Sequence, residues 1–146
     1  MAAPLTDRRI GQVVLAQVTT GVGAITTTTT DVELPHIPSA VAFLIQVTAA
    51  ATDVGDTLNI TIETQFGSLW VPVYQATEFL GNGGAKAELS DKTIAQGAQA
   101  HNASFPSTLA ANANVHLIGH RWRVAYVQVD ADNDASFTFT VTAIIM

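Results

Sequence analysis

The sequence of 146 residues predicts an all-β fold, an antiparallel β-sandwich or jelly roll of about eight short strands. Apolar and polar residues alternate with a period of two along most of the chain, and successive side chains of a strand point to opposite faces of its sheet. Short segments rich in Gly, Asn and Asp separate these runs, as turns between strands require. The chain contains no cysteine, which excludes disulfides and thiolate metal sites.

The alternating runs predict the strands in order. The clearest run is 57–64, in which Leu58, Ile60 and Ile62 share one face. The unbroken threonine run at 26–30 favours a solvated edge strand, because threonine is well suited to strands and weakens helices. The complete set of predicted strands is 11–19, 24–34, 41–48, 57–64, 69–74, 86–89, 121–127 and 136–142.

Two segments depart from this pattern. Residues 91–118 are dominated by Ala, Gln, Asn and Ser and lose the alternation, which predicts one long irregular loop with a short helical turn at 92–99. Long loops in compact domains are commonly functional or packed on a partner. Residues 1–9 are predicted to form an extended N-terminal arm, and residues 10–146 a single domain.

Composition restricts the class of partner. Only 12% of residues are charged, against an average of about 25%, and 48% are hydrophobic, which indicates that much of the surface contacts other protein. The formal charge of −6 argues against a nucleic-acid partner, because phosphate binding depends on Lys and Arg. No apolar run reaches the roughly 20 residues of a membrane span, and the first residues do not resemble a signal peptide. We therefore expect synthesis in the cytoplasm without a cleaved signal.

No motif in the sequence predicts an enzyme or a cofactor. A Gly-x-Ser-x-Gly nucleophile elbow is missing, and the segment 81–86 is interpreted as a tight turn because it lacks the spacing of a phosphate-binding loop. His36 and His101 fit no catalytic triad by spacing. His116 and His120 would share a face as zinc ligands on a helix, but the segment leads into a predicted strand.

The acidic segment 130–134 predicts a hairpin loop between two strands. Its residues Asp130, Asp132 and Asp134 are spaced like the first ligands of a calcium loop. Such a loop requires Gly at its sixth position and Glu at its twelfth, where this chain has Ala135 and Val141. We therefore predict no metal site, and these three aspartates are the candidate ligands if the loop does bind calcium.

Two groups of residues are candidates for partner binding. Arg121 and Arg123 form a basic stripe that is either a solvated face or pairs with a carboxylate of a neighbouring subunit. The apolar run Ile144, Ile145 and Met146 is expected to contact another subunit, with simple core packing as the alternative. In the predicted arm, the basic pair that would meet an acidic partner is Arg8 and Arg9.

Four segments carry a resemblance to small structural proteins of tailed bacteriophages: 42–49 (AFLIQVTA), 53–59 (DVGDTLN), 80–86 (LGNGGAK) and 122–142 (WRVAYVQVDADNDASFTFTVT). The resemblance implies a virion component, in the first place a capsid decoration (cement) protein on the capsid surface, assembled in the host cytoplasm. It further implies binding to the major capsid protein and a homotrimer. A tail or head–tail subunit is the alternative within this class.

A carbohydrate-binding jelly roll is the alternative from another class. Such modules stack exposed aromatic rings on sugars, and the alternation in 69–74 predicts that Trp70 and Tyr74 share one face. Exposure of both rings beside a groove would favour this alternative, and burial of both would favour a structural protein.

Overall fold

The computed structural model describes residues 11–90, 93–94, 109–112 and 118–146, and these form two antiparallel β-sheets. The only helix among them is one 3-10 turn, Gly81–Gly83. The predicted all-β sandwich is thereby confirmed. The strands are β1 (Gly11–Thr19), β2 (Ile25–Thr28), β3 (Val32–Glu33), β4 (Ala40–Ala49), β5 (Thr57–Phe66), β6 (Leu69–Gln75), β7 (Phe79–Leu80), β8 (Lys86–Leu89), β9 (Thr93–Ile94), β10 (Arg121–Val129) and β11 (Thr138–Ile145).

The strand order gives the sandwich the nested topology of a jelly roll. Sheet A has the order β1-β11-β4-β8, and β9 pairs with β4. Sheet B has the order β2-β10-β5-β6, with β3 paired to β10 and β7 to β5. Eight strands remain when the two-residue strands β3, β7 and β9 are left aside. The first and last of these pair with each other, β1 with β11, and the pairing continues inwards along the sequence, β2 with β10, β4 with β8 and β5 with β6. This nested pairing is how eight strands form a double-sheet jelly roll.

The core lies between the two sheets and follows the alternation in the sequence. Leu58, Ile60 and Ile62 of β5 are fully buried, as predicted. Across the sandwich, the ring of Phe43 in β4 lies 5.2 Å from that of Trp122 in β10. Each large apolar side chain buried in this way contributes roughly 1.5–3 kcal/mol to stability, so the facing sheets hold each other in place.

Two local predictions differ from the structure. The predicted strand 24–34 is two short strands, β2 and β3, and β2 lies at the edge of sheet B as the threonine run indicated. The prediction of a helical turn at 92–99 is wrong for Thr93–Ile94. These two residues form β9, which pairs with Val41 and Ala40 of β4. Most of the predicted loop 91–118 and all of the predicted arm 1–9 lie outside the described residues.

Two connections at one end of the sandwich cross between the sheets. Residues 50–56 join β4 of sheet A to β5 of sheet B, and residues 130–137 join β10 of sheet B to β11 of sheet A. The prediction of a hairpin at 130–134 is therefore wrong, because β10 and β11 belong to different sheets. The crossings bring the connections side by side, and the Ala131 N–H donates to Asp56 Oδ1 at 2.8 Å.

Candidate functional site

Four aspartates meet where the two inter-sheet connections touch. Asp53, Asp56, Asp132 and Asp134 each contribute one carboxylate oxygen, and these oxygens all lie within 4.8 Å of one another. We call this group the aspartate cluster. The structure thus brings together two of the three candidate calcium ligands of the sequence, Asp132 and Asp134, with Asp53 and Asp56, which the sequence analysis did not single out as ligands.

The third candidate, Asp130, lies outside the cluster and organises the loop instead. Its Oδ1 accepts the Asn133 N–H at 2.6 Å and the Asp134 N–H at 3.1 Å, and its Oδ2 accepts the Gly23 N–H at 2.7 Å. Partial burial opposes ionisation, but these backbone hydrogen bonds outweigh it and lower the pKa of Asp130. Its carboxylate therefore fixes the backbone that carries Asp132 and Asp134.

Asp56 is the buried member of the cluster, with 0% of its surface exposed. Its Oδ1 accepts the Ala131 N–H, whereas its Oδ2 has no hydrogen-bond partner in the described part of the chain. Buried polar atoms in native proteins nearly always have a partner, because an unpaired one loses its hydration without compensation. Asp56 Oδ2 is thus a buried acceptor that the surrounding residues do not satisfy.

The cluster concentrates negative charge. A hydrogen bond with Asp132, together with desolvation and repulsion from Asp132 and Asp53, raises the pKa of Asp134 to about 6. None of the ion pairs in the described ranges involves a cluster aspartate, and the two described arginines bind carboxylates elsewhere. Positive charge is therefore the chemical feature that the cluster lacks.

Arg121 and Arg123 lie on the outer face of sheet B and are paired within the chain. Arg121 Nη2 lies 2.5 Å from Asp31 Oδ2, and Arg123 Nε donates to Glu63 Oε2 at 2.6 Å. The guanidinium of Arg123 also stacks 4.3 Å above the ring of Trp70. The carboxylates that these arginines contact belong to their own chain, and pairing with a carboxylate of a neighbouring subunit stays a prediction.

The apolar run at 144–146 divides between core and surface. Ile145 is 4% exposed and belongs to the core, so the expectation that it contacts a partner is wrong. Ile144 is half-buried on the outer face of sheet A, where a partner contact stays a prediction. Met146 continues the pairing of β11 with β4, since its N–H donates to Ala40 O at 3.0 Å and its carbonyl accepts the Ser39 N–H at 3.1 Å.

Trp70 and Tyr74 lie on opposite faces of β6, so the prediction that they share a face is wrong. Tyr74 pairs with Ile62 and Pro72 with Glu63, which leaves Val73 as an extra residue that reverses the alternation. Tyr74 is buried and its hydroxyl donates to Glu88, whereas Trp70 is half-buried beneath Arg123. The shared aromatic face on which the carbohydrate-binding alternative rested therefore does not form.

The structure describes two of the four histidines, His36 and His120. His120 Nε2 lies 2.6 Å from Glu33 Oε1 at the surface, and His36 is exposed. The remaining candidates, His101, His116, Arg8 and Arg9, lie outside the described residues.

The outer face of sheet A has an unusual composition. Strands β1, β4 and β11 contain no charged residue. The two charged residues of β8, Lys86 and Glu88, stand in register with the buried Val47 and Ile45, and therefore lie on the other side of the sheet. The strands of sheet A thus present no charged side chain on this face.

One row of this face holds three aliphatic residues and one buried threonine from edge to edge. Val14, Thr142, Leu44 and Leu89 lie directly beside one another across β1, β11, β4 and β8. We call these four residues the apolar row. Its outer members are well exposed, Val14 at 53% and Leu89 at 63%. The two ends of the row are therefore accessible to another molecule, whereas Leu44 is half-buried and Thr142 is buried.

A shallow groove crosses the outer face of sheet B. Its polar side chains bond to one another, because Asn59 Nδ2 donates to Glu78 Oε2 at 2.9 Å and the Thr61 hydroxyl donates to Gln75. The groove consequently offers fewer free polar groups for a ligand than its lining suggests.

Comparison of the chain with protein-family models, with curated proteins and with solved structures finds no match in any of the three. Among the described residues, no helix has the length and apolar character needed to cross a membrane.

Proposed function

We propose that this chain is a structural protein of a phage virion, a capsid decoration (cement) protein that binds the major capsid protein through sheet A. The observation that carries the proposal is the uncharged outer face of that sheet with its apolar row. The resemblance of four sequence segments to small phage structural proteins gives the class of assembly. The jelly-roll fold alone does not determine the function, since both capsid proteins and lectins have this fold.

Physical chemistry favours contact through this face. The centre of a protein interface is depleted of charged residues, because each charge would lose its hydration on binding. An antiparallel sheet that faces water on one side normally carries polar residues there, whereas the apolar row puts Val14, Leu44 and Leu89 on that side. Covering each of these side chains contributes up to about 1.5–3 kcal/mol, so a small contact repeated over a shell is stabilising.

A decoration protein of this kind stabilises a shell by mass action, because it binds assembled capsid subunits and not dissociated ones. In our proposal three copies assemble around a local three-fold position. The edge of β1 is unpaired in the described part of the chain, and a neighbouring chain could add a strand there through main-chain hydrogen bonds. Arg8 and Arg9 precede this edge and would meet an acidic capsid surface.

The test is the position of the chain in purified phage particles by cryo-electron microscopy, with the mass of the isolated protein measured in parallel. We expect density on capsid three-fold positions, with sheet A towards the shell, and a trimer in solution. Density in the tail would overturn the decoration role but retain the virion class. Absence from the particle would overturn both.

A matched pair of variants tests the surface itself. Val14→Lys places a charge in the apolar row, and Val127→Lys places one at an exposed position on the outer face of sheet B. We expect Val14→Lys to weaken co-sedimentation with undecorated heads at least tenfold, and Val127→Lys to leave it unchanged. Equal effects of the two substitutions would refute the assignment of sheet A.

A further inference from the structure

We propose that the aspartate cluster is a binding site for Ca²⁺ that ties the two inter-sheet connections together. The inference is independent of the proposed virion role. It rests on two observations: the convergence of four carboxylate oxygens from two loops, and the buried, unpartnered Oδ2 of Asp56.

The spacing of the oxygens suits one shared ion. Ca²⁺ binds oxygen ligands at 2.3–2.6 Å, so two ligands that are each about 2.4 Å from one ion lie at most about 4.8 Å apart. The four cluster oxygens all lie within 4.8 Å of one another. The spacing of the four oxygens therefore meets this limit for a single shared ion.

Asp56 distinguishes this cluster from an ordinary acidic surface patch. Exposed carboxylates are satisfied by water, but Asp56 is fully buried and only its Oδ1 has a partner. A cation in the cluster would neutralise this buried carboxylate.

The ligand set favours Ca²⁺ over Mg²⁺. Ca²⁺ accepts six to eight oxygens in irregular geometry, including several carboxylates, whereas Mg²⁺ requires near-octahedral geometry at about 2.0–2.1 Å and usually binds only one or two carboxylates. The cluster offers four carboxylates from two irregular connections, and Asp132 and Asp134 are exposed, which leaves the outer side open to water ligands.

The site differs from a single-loop calcium motif. Its ligands come in two pairs, Asp53 with Asp56 and Asp132 with Asp134, and the pairs stand on connections that run in opposite directions between the sheets. Asp130 positions the second pair through its backbone hydrogen bonds. A bound ion would therefore cross-link sheets A and B at this end of the sandwich.

The test uses the full chain, stripped of metal with a chelator and titrated with CaCl2 alone by calorimetry and by thermal unfolding. We expect one Ca²⁺ per chain and a rise in Tm on adding Ca²⁺. Asp134→Asn, at an exposed position, should weaken Ca²⁺ binding at least tenfold. Asp31→Asn, the same substitution in an aspartate that pairs with Arg121, should leave it unchanged. Asp132→Asn, also exposed, is a second variant at the site.

A further readout separates a cation site from a purely structural cluster. In chelator, Asp134→Asn should raise Tm because it removes a carboxylate that repels its neighbours, and in Ca²⁺ it should lower Tm relative to the unaltered chain. No heat and no change in Tm up to about 10 mM CaCl2 would overturn the proposal, since even weak protein calcium sites bind by about 1 mM. Equal loss of binding in Asp31→Asn would also overturn it, and equal affinity for Mg²⁺ would overturn the assignment to Ca²⁺.

Discussion

Gln128 should be among the most sensitive polar positions of the sandwich. Its side chain is 1% exposed and joins three parts of the chain near one end of sheet B. The amide Nε2 donates to Gly21 O at 2.9 Å and Gly23 O at 2.8 Å, with Ala135 O at 3.3 Å, and Oε1 accepts the hydroxyl of the buried Thr20. Gln128→Met retains the approximate length of the side chain and removes these bonds.

The expected cost follows from the number of bonds. An amide nitrogen has two hydrogens, so its contacts count as two full hydrogen bonds, and the bond from Thr20 is the third. Each contributes about 1 kcal/mol net, so Gln128→Met should lower the free energy of unfolding by about 3 kcal/mol. For a chain of this length, that change lowers Tm by roughly 10 °C.

Urea unfolding followed by circular dichroism measures this change, with Gln17→Met as the matched control. Gln17 is exposed on sheet A, and the control should stay within about 0.5 kcal/mol of the unaltered chain. A loss below about 1 kcal/mol for Gln128→Met, with an unchanged m-value, would refute the role assigned to its hydrogen bonds.

Three further predictions follow from close contacts. Gly119→Ala should lower stability by about 1–3 kcal/mol in urea unfolding, because a Cβ there would lie 2.2 Å from Thr64 Oγ1, whereas Gly21→Ala meets no atom within 4 Å and should stay within about 0.5 kcal/mol. Arg123→Gln should cost about 1–2 kcal/mol in the same assay, since it removes both an ion pair and a stacked ring. Gly81→Ala should weaken Ca²⁺ binding about tenfold by calorimetry, because its Cβ would lie 2.5 Å from the carbonyl of Asp53, a cluster residue.

The sequence was sufficient to predict the β-sandwich, because the alternation of apolar and polar residues can be recognised within each strand by itself. The alternation of Leu58, Ile60 and Ile62 assigns a buried face to β5 without reference to any other strand. The same local rule failed in β6, where the extra residue Val73 reverses the faces and separates Trp70 from Tyr74. Pro72, directly before Val73, is the sequence signal for this bulge, because proline within a strand is confined to edges and bulges, but the alternation alone does not reveal it.

The candidate site was only half predictable for a related reason. The sequence predicted no metal site and offered Asp132 and Asp134 only as candidate ligands by their spacing, and Asp53 and Asp56 join them only through the crossing of the two connections. Asp130 has the same residue type and spacing as its neighbours, and its different role depends on the backbone N–H groups that surround it. The position of Ile145 in the core likewise depends on β11 lying inside sheet A.

The nested strand pairing also sets the order in which the molecule can fold during synthesis. Strand β11 lies between β1 and β4, so sheet A lacks its central element until residues 138–145 have left the ribosome. Until then β1 and β4 expose unpaired backbone edges and apolar side chains, which are the features that promote pairing with other chains. Contacts between segments so distant in sequence also form slowly. The interval between the synthesis of β4 and that of β11 is therefore when copies of this chain are most exposed to misassembly with one another.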